Sequence, residues 1–198
     1  MTFNSIHRGI VGGTVTSITR PSPGEYRDYA IAYVSLVPED GQIVDHLEAG
    51  GRRFEAWLRA HPASQLTTPH APGEWTPLDV LLHVMDTERV FAYRALCLAR
   101  GETVSLPGFE QDAYAAAGRG NARSLNELID EYRAVRTATI ALVQSFDEGA
   151  LNRYGTADGQ PLSVRAVTYM LAGHELFHLR SLGENYGDAA HGAGKSRA

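Results

Sequence analysis

The stretch "SLNELIDEYRAVRTATIALVQSF", Ser124 to Phe146, settles the class of fold. It opens with Ser124-Leu125-Asn126-Glu127, a serine followed three residues later by a glutamate, the pattern of a capping box. Its apolar residues Leu125, Leu128, Tyr132, Val135, Thr139, Leu142 and Phe146 then fall at steps of 3, 4, 3, 4, 3 and 4. That spacing lines one narrow stripe of a helix, the stripe a bundle buries against antiparallel or coiled-coil-like neighbours.

Three more helices flank it. On the N-terminal side Thr76-Pro77-Leu78-Asp79 combines a capping hydroxyl, a proline suited to the first helical position and an acid that favours the positive end of the helix dipole. The spacing predicts a helix from Pro77 to Arg100, stopped before Gly101. Further upstream, Ile43, Leu47, Phe54 and Leu58 carry helical spacing to Ala60, interrupted weakly by Gly50-Gly51 and closed by His61-Pro62. Downstream, Ser163 caps a fourth helix expected to end at Leu182, with Gly183 as its stop.

Between helices two and three lies the long connection "GETVSLPGFEQDAYAAAGRGNAR", with room for one short helix at "EQDAYAAA". A connection of that length implies a crossover or a lid. The loop "GALNRYGTADGQP" before helix four reads as turn formers, and no segment alternates convincingly as a strand. The expected architecture is all-α, a four-helix bundle spanning residues 21–187, with a loose extension at 1–20, an irregular arm rich in Pro and Gly up to Gly41, and a flexible tail at 188–198.

With 198 residues the chain suffices for one ordinary core. A formal charge of -5, with basic residues scattered, gives no stripe for a nucleic-acid backbone. No apolar run approaches the roughly 20 residues that span a bilayer. The start "MTFNSIHRGIVGG" lacks the basic and apolar regions of a secretion signal, so a cytoplasmic location is expected. Cys97 is the only cysteine, set between Leu96 and Leu98 as a core residue.

Helix four contains "HELFH", His174 to His178, which matches the HExxH string of zinc proteases. The protease reading fails on its own requirements: the offsets where a metzincin needs glycine and histidine hold Ser181 and Glu184, and no glutamate follows Glu184. What survives is the pair of histidines. Residues four apart on a helix share a face about 5 to 6 Å apart, and Val167, Leu171, His174, His178 and Ser181 form the inward seam. Two imidazoles fall short of the usual three or four protein ligands. The other histidine within a strongly expected helix is His83, two turns into the apolar helix two. If it faces helix four, three neutral imidazoles hold one ion and leave positions open, as in catalytic zinc sites. Three hydrogen-bonded core histidines fit the spacing equally well.

The segments "HVMDTERVFAYRALCLARGETVSLPGFEQDAYA" (His83–Ala115) and "GTADGQPLSVRAVTYMLAGHELFHLRSL" (Gly155–Leu182), with the arm "PSPGEYRDYAIAYVSLVP" (Pro21–Pro38), resemble the DinB superfamily, which includes the YfiT-like metal-dependent hydrolases. The resemblance runs from about Pro21 to Tyr186. It implies an up-down-down-up bundle and a divalent metal, zinc or nickel foremost with manganese or iron as further candidates, on His83, His174 and His178. Many members have histidine before the last ligand, where this chain has Phe177. The resemblance further implies homodimers, a bacterial stress-response setting without DNA binding, and a small-molecule substrate. Some relatives use a low-molecular-weight thiol such as mycothiol or bacillithiol.

Two functions follow as expectations: a metal-dependent enzyme, hydrolase or thiol S-transferase, or a binding protein without turnover. Glu175 is the candidate catalytic base, although it lies about 100° around the helix from His174. Asp86 can orient a ligand imidazole or pair with Arg89 or Arg94. Asp112 and Tyr114 of the crossover can line the entrance or tie down the loop, and Trp57 and Trp75 read as packing residues. Arg89, Arg94, Arg133 and Arg136 become relevant if the substrate is anionic.

Overall fold

The computed structural model describes residues 17–188. The expected tail beyond 188 and most of the expected extension before residue 21 lie outside the described residues. Four long helices make the bundle: α2 (Ile43–Ala60), α4 (Pro77–Ala99), α6 (Leu125–Gln144) and α8 (Val164–Tyr186). Shorter helices α1 (Ile31–Val34), α3 (Ala63–Leu66), α5 (Gln111–Gly118) and α7 (Glu148–Leu151) occupy the connections.

The caps read from sequence are formed. Thr76 and Asp79 make a reciprocal capping box at α4, Ser124 and Glu127 make one at α6, and Ser163 accepts from the Ala166 amide at α8. Helix α8 runs past the expected stop. Gly183 stays helical, and the helix ends at Gly187, whose φ of 90° and ψ of 156° form an extended positive-φ conformation that glycine adopts readily.

Cross-helix pairs give the directions. Arg59 reaches Asn126 and Arg133 reaches Glu55, so α2 and α6 run antiparallel. Asn121, just before α6, bonds Asp79 while Arg136 bonds Glu88, so α4 and α6 run parallel. Gly50 faces Glu175 and Trp57 donates to the Gly187 carbonyl, so α2 and α8 are also parallel. The bundle is therefore up-down-down-up. Parallel neighbours cannot be joined by a tight turn, which is why the chain spends residues 100–124 travelling back along the bundle between α4 and α6.

Two features depart from the sequence expectation. First, Tyr154–Ala157 (β1) and Gln160–Ser163 (β2) form an antiparallel hairpin within the stretch expected to be loop. Its turn is Asp158-Gly159, both at positive φ, an Asp-Gly signal for a two-residue hairpin whose flanking strands are too short to alternate visibly. Second, residues 17–20 are packed rather than loose: Ile18 is buried and accepts from the Tyr169 hydroxyl, and Arg20 pairs with Glu39. Cys97 is half-buried rather than core, because Leu96 beside it faces outward.

The arm lies across α8 and is fastened at two points. Glu25 is buried, bonded by the Ser22 amide, the Ser163 hydroxyl and the Arg165 guanidinium. Farther along, α1 sits directly on Gly173, where a Cβ would overlap the Tyr33 carbonyl oxygen. Burial raises the Glu25 carboxyl, but bonds from Arg165, Ser22 and Ser163 outweigh it and hold the group below its ordinary value of 4.5.

Two predictions follow for the arm. Gly173→Ala lowers stability by about 1–3 kcal/mol in denaturant unfolding, because the added methyl meets backbone that cannot rotate away. Glu25 contributes stability that is full above its unfolded value near 4.5 and is lost as pH falls through its lower folded value. Glu25→Gln flattens that acid limb in unfolding curves measured at stepped pH; an acid limb unchanged from the parent protein would show that the arm is held by other contacts.

Candidate metal centre

His83 comes from the second turn of α4, His174 and His178 from successive turns of α8, and the antiparallel pairing of these helices brings all three together. His83 and His174 are buried and His178 is half-buried. Their ligand atoms lie within 4.8 Å of one another. His174 Nε2 is 3.1 Å from His83 Nε2 and 3.1 Å from His178 Nε2.

The donor set tests what can sit there. A neutral imidazole nitrogen carries either one hydrogen or one lone pair, so His174 Nε2 satisfies only one of its two neighbours by hydrogen bonding. A single cation satisfies all three lone pairs at once. Tetrahedral zinc with bonds of about 2.0–2.1 Å places its nitrogens about 3.3 Å apart, close to the spacing found. Burial pushes His83 down to about 4, opposed slightly by the charge of Asp112. Burial, then His83, pushes His178 down to about 3, and burial with both neighbours holds His174 well below its ordinary value. The imidazoles are thus neutral ligands at neutral pH, and the residues fit a divalent ion.

A cavity of about 400 Å³ opens beside His83 and His174. The bundle contributes Thr87, Phe91, Arg94 and Met170, and the remaining walls come from outside it. The arm supplies Arg27, Tyr29 and Tyr33, the crossover supplies Gly108 to Gln111, and the hairpin supplies Ala157, Asp158, Pro161 and Leu162. Tyr33 packs edge-on against His174, with ring centroids 5.2 Å apart, and against Phe177 at 5.3 Å. On the other side Trp75 lies 4.7 Å from His83. Burial raises the Tyr29 and Tyr33 hydroxyls, so both remain proton-bearing donors.

The sequence-derived candidates distribute unequally. Glu175 points away from the cavity: its carboxylate is buried at 1% exposure, bonded by Tyr132 and Arg136. One position along the helix from His174 puts it on the face toward α2 and α6, so it is not placed as a base for chemistry in the cavity. Asp86 pairs with Arg89 at 3.1 Å, and Thr87, not Asp86, stands 3.5 Å from His83 Nδ1. Asp112 borders a separate depression with Trp75 and Arg119, and Tyr114 packs on Phe109. Trp57 is a core residue. Among the four arginines only Arg94 lines the cavity; Arg89 and Arg133 sit in exposed ion pairs and Arg136 in the buried one. Tyr29 and Tyr33 read from sequence only as packing residues of the arm, and neither they nor Arg27 read as cavity residues, because nothing local to the arm says which helix it crosses.

A family model described as the DinB superfamily matches residues 46–182. No curated protein matches the chain. Among solved structures, the chain is similar to YfiT from Bacillus subtilis, a probable metal-dependent hydrolase with an unusual four-helix bundle topology. That match has a TM-score of 0.66 and 16% identity, and covers 73% of this chain and 86% of YfiT. It is also similar to a mycothiol-dependent maleylpyruvate isomerase, with a TM-score of 0.61 and 14% identity, over 76% of this chain and 62% of the isomerase. At these identities the likeness is one of fold. No helix among the described residues is long and apolar enough to cross a membrane.

The placement of Glu175 has a testable consequence. Glu175→Ala removes one carboxylate from a buried ion pair and leaves Arg136 and Tyr132 underpartnered, so unfolding free energy falls by about 3 kcal/mol or more. A loss within about 0.5 kcal/mol, the level of an ordinary surface substitution, would show that the network is not formed.

Proposed function

The chain belongs to the DinB superfamily, and from that premise we propose that it is a metal-dependent enzyme acting on a small molecule, with His83, His174 and His178 as the ligands of one divalent ion. The observation that carries this reading is the convergence of three neutral Nε2 atoms beside a cavity that His83 and His174 line. A closed structural site would use a fourth protein ligand; three ligands beside a cavity match the open arrangement of catalytic ions.

A bound divalent ion would supply positive charge that lowers the pKa of a water or thiol next to it and polarises a substrate oxygen. The chain's own residues do the rest. Phe91 and Met170 exclude bulk water beside the histidines, which strengthens every charge interaction within. Tyr33 holds the His174 ring edge-on, and with Tyr29 offers hydroxyl donors to a substrate oxygen. Glu175 is held in its own ion pair away from the cavity, so the proton given up by the attacking water or thiol passes to a carboxylate of the cavity, Glu110 or Asp158, or to solvent. The nucleophile is water, making a hydrolase, or a low-molecular-weight thiol, making an S-transferase or isomerase. The mycothiol dependence of one similar fold favours including thiols in the search.

Metal analysis of the purified protein tests the proposal. About one equivalent of zinc, nickel or a related divalent ion is expected, falling below about a tenth of that in His83→Ala, His174→Ala and His178→Ala variants that keep their helical circular dichroism. Metal that persists after loss of His83 would overturn the shared site. Turnover is then screened with esters and amides in water and with electrophiles plus mycothiol, bacillithiol or glutathione.

A further inference from the structure

One charge in the cavity is left unmatched. Arg94 is only 5% exposed, yet its Nε is buried with no hydrogen-bond partner among the described residues. Its Nη2 donates to the Pro107 carbonyl at 2.7 Å, a neutral acceptor. The carboxylates that line the same cavity are Asp158 and Glu110. Asp158 is taken by Arg27 at 2.5 Å, and Glu110 is exposed at the rim without an ion pair among the described residues. Burial lowers the Arg94 pKa, with Tyr29 and Asp158 acting from longer range to raise it, and an arginine still keeps its charge at neutral pH. A buried guanidinium with a spare donor and no anion is costly unless something else supplies the anion.

The geometry says where that anion lies relative to the chemistry. Phe91 stands between the two groups, its ring 5.9 Å from the His174 ring and 5.9 Å from the Arg94 guanidinium carbon. A molecule lying over Phe91 reaches both. Resting on the metal-site reading above, we propose that the substrate is a small carboxylic acid whose carboxylate is held by Arg94 while its reacting carbon lies against the histidine cluster. The planar fork of arginine suits a carboxylate, and pairing at the part of the guanidinium that lines the cavity would give this buried charge an anion. The volume of about 400 Å³ is at the low end of small-molecule sites (~300–1,000 Å³), which favours an acid of metabolite size over a peptide or lipid. In this arrangement Arg94 is a substrate-binding residue, the arm and hairpin pair Arg27–Asp158 walls the site, and the selectivity is for charge.

Full-length zinc-loaded protein is titrated with succinate and, as the uncharged control, succinamide, following the arginine Nε–Hε resonances by NMR and the binding heat by calorimetry. Succinate is expected to bind and to move the Arg94 Nε–Hε resonance, whereas succinamide leaves it in place. Arg94→Gln is expected to weaken succinate at least ~10-fold, as for loss of a charge-assisted pair, while zinc content is unchanged. Succinate affinity that is equal in the parent and Arg94→Gln proteins, or a titration in which the Arg94 resonance does not move, would overturn the proposal. The resonance test uses the unmutated protein, so it stands even if the variant fails to fold. Absence of zinc in the unmutated protein sinks the metal reading separately, and the same NMR titration of the metal-free protein still decides for or against Arg94.

Discussion

The bundle turns on one buried cation. Arg136 of α6 bonds Glu88 of α4 through Nε at 2.9 Å and Nη2 at 2.8 Å, bonds Glu175 of α8, and donates to the Leu47 carbonyl of α2. Tyr132, one turn earlier, donates to the same Glu175 oxygen. Every long helix therefore meets at a single guanidinium. Burial alone would lower the Arg136 pKa, but Glu175 and Glu88 overcompensate and keep it charged. For Glu175 burial dominates and its pKa is raised despite Arg136 and Tyr132. Such a network contributes little net stability over an apolar core, because three charges have left water. What it adds is register: a one-residue rotation of α8 or α6 would take Glu175 or Arg136 off the shared face and leave a buried charge unpaired.

That register is what aims the histidines. Glu175 and His174 are adjacent on α8, so their side chains diverge by about 100°. Fixing Glu175 against α2 and α6 rotates His174, and His178 one turn on, toward α4 and His83. Gly50 and Gly51 of α2 complete the arrangement. A Cβ at Gly50 would overlap the Glu175 carboxylate, and Gly51 sits against Arg136 and Tyr132. Gly50, which lowers helix propensity by about 1 kcal/mol, is thus the slot that admits the ion pair, whereas a Cβ at Gly51 would make only ordinary contact.

What the sequence could tell follows from this geometry. Helix caps and the seam through His174 and His178 are local properties, set by residues three or four apart, and they appear where the periodicity places them, while α8 alone among the long helices overruns its expected end. His83 was found by its position on an apolar helix, which is also a local property. The ion pair of Glu175 is not legible from HExxH, which describes neighbours along one helix, whereas its partner Arg136 lies 39 residues away in sequence. The hairpin escaped because its strands are four residues each, leaving only Asp158-Gly159 as a signal. The arm carries no periodic code at all. Its path depends on Glu25 meeting Ser163 and Arg165, and on Gly173 leaving space for the Tyr33 backbone.

The same register sets the histidine cluster apart from most of the cavity wall. The three histidines sit on two long helices whose relative rotation is locked by Arg136, and rigid helices hold such groups more accurately than loops do. Most of the cavity wall is built from the arm, the crossover and the hairpin, joined across the cavity by Arg27 and Asp158. Apart from the anchors Glu25 and Tyr33, those segments answer to few constraints of the bundle, so most of their residues can change while the three histidines stay in place. Arg94 is the exception, since it projects from α4 itself and shares Phe91 with His174. A charge built into a long helix stands at a distance from the histidine cluster that helix packing sets, whereas Arg27 and Asp158 depend on how the arm and the hairpin lie.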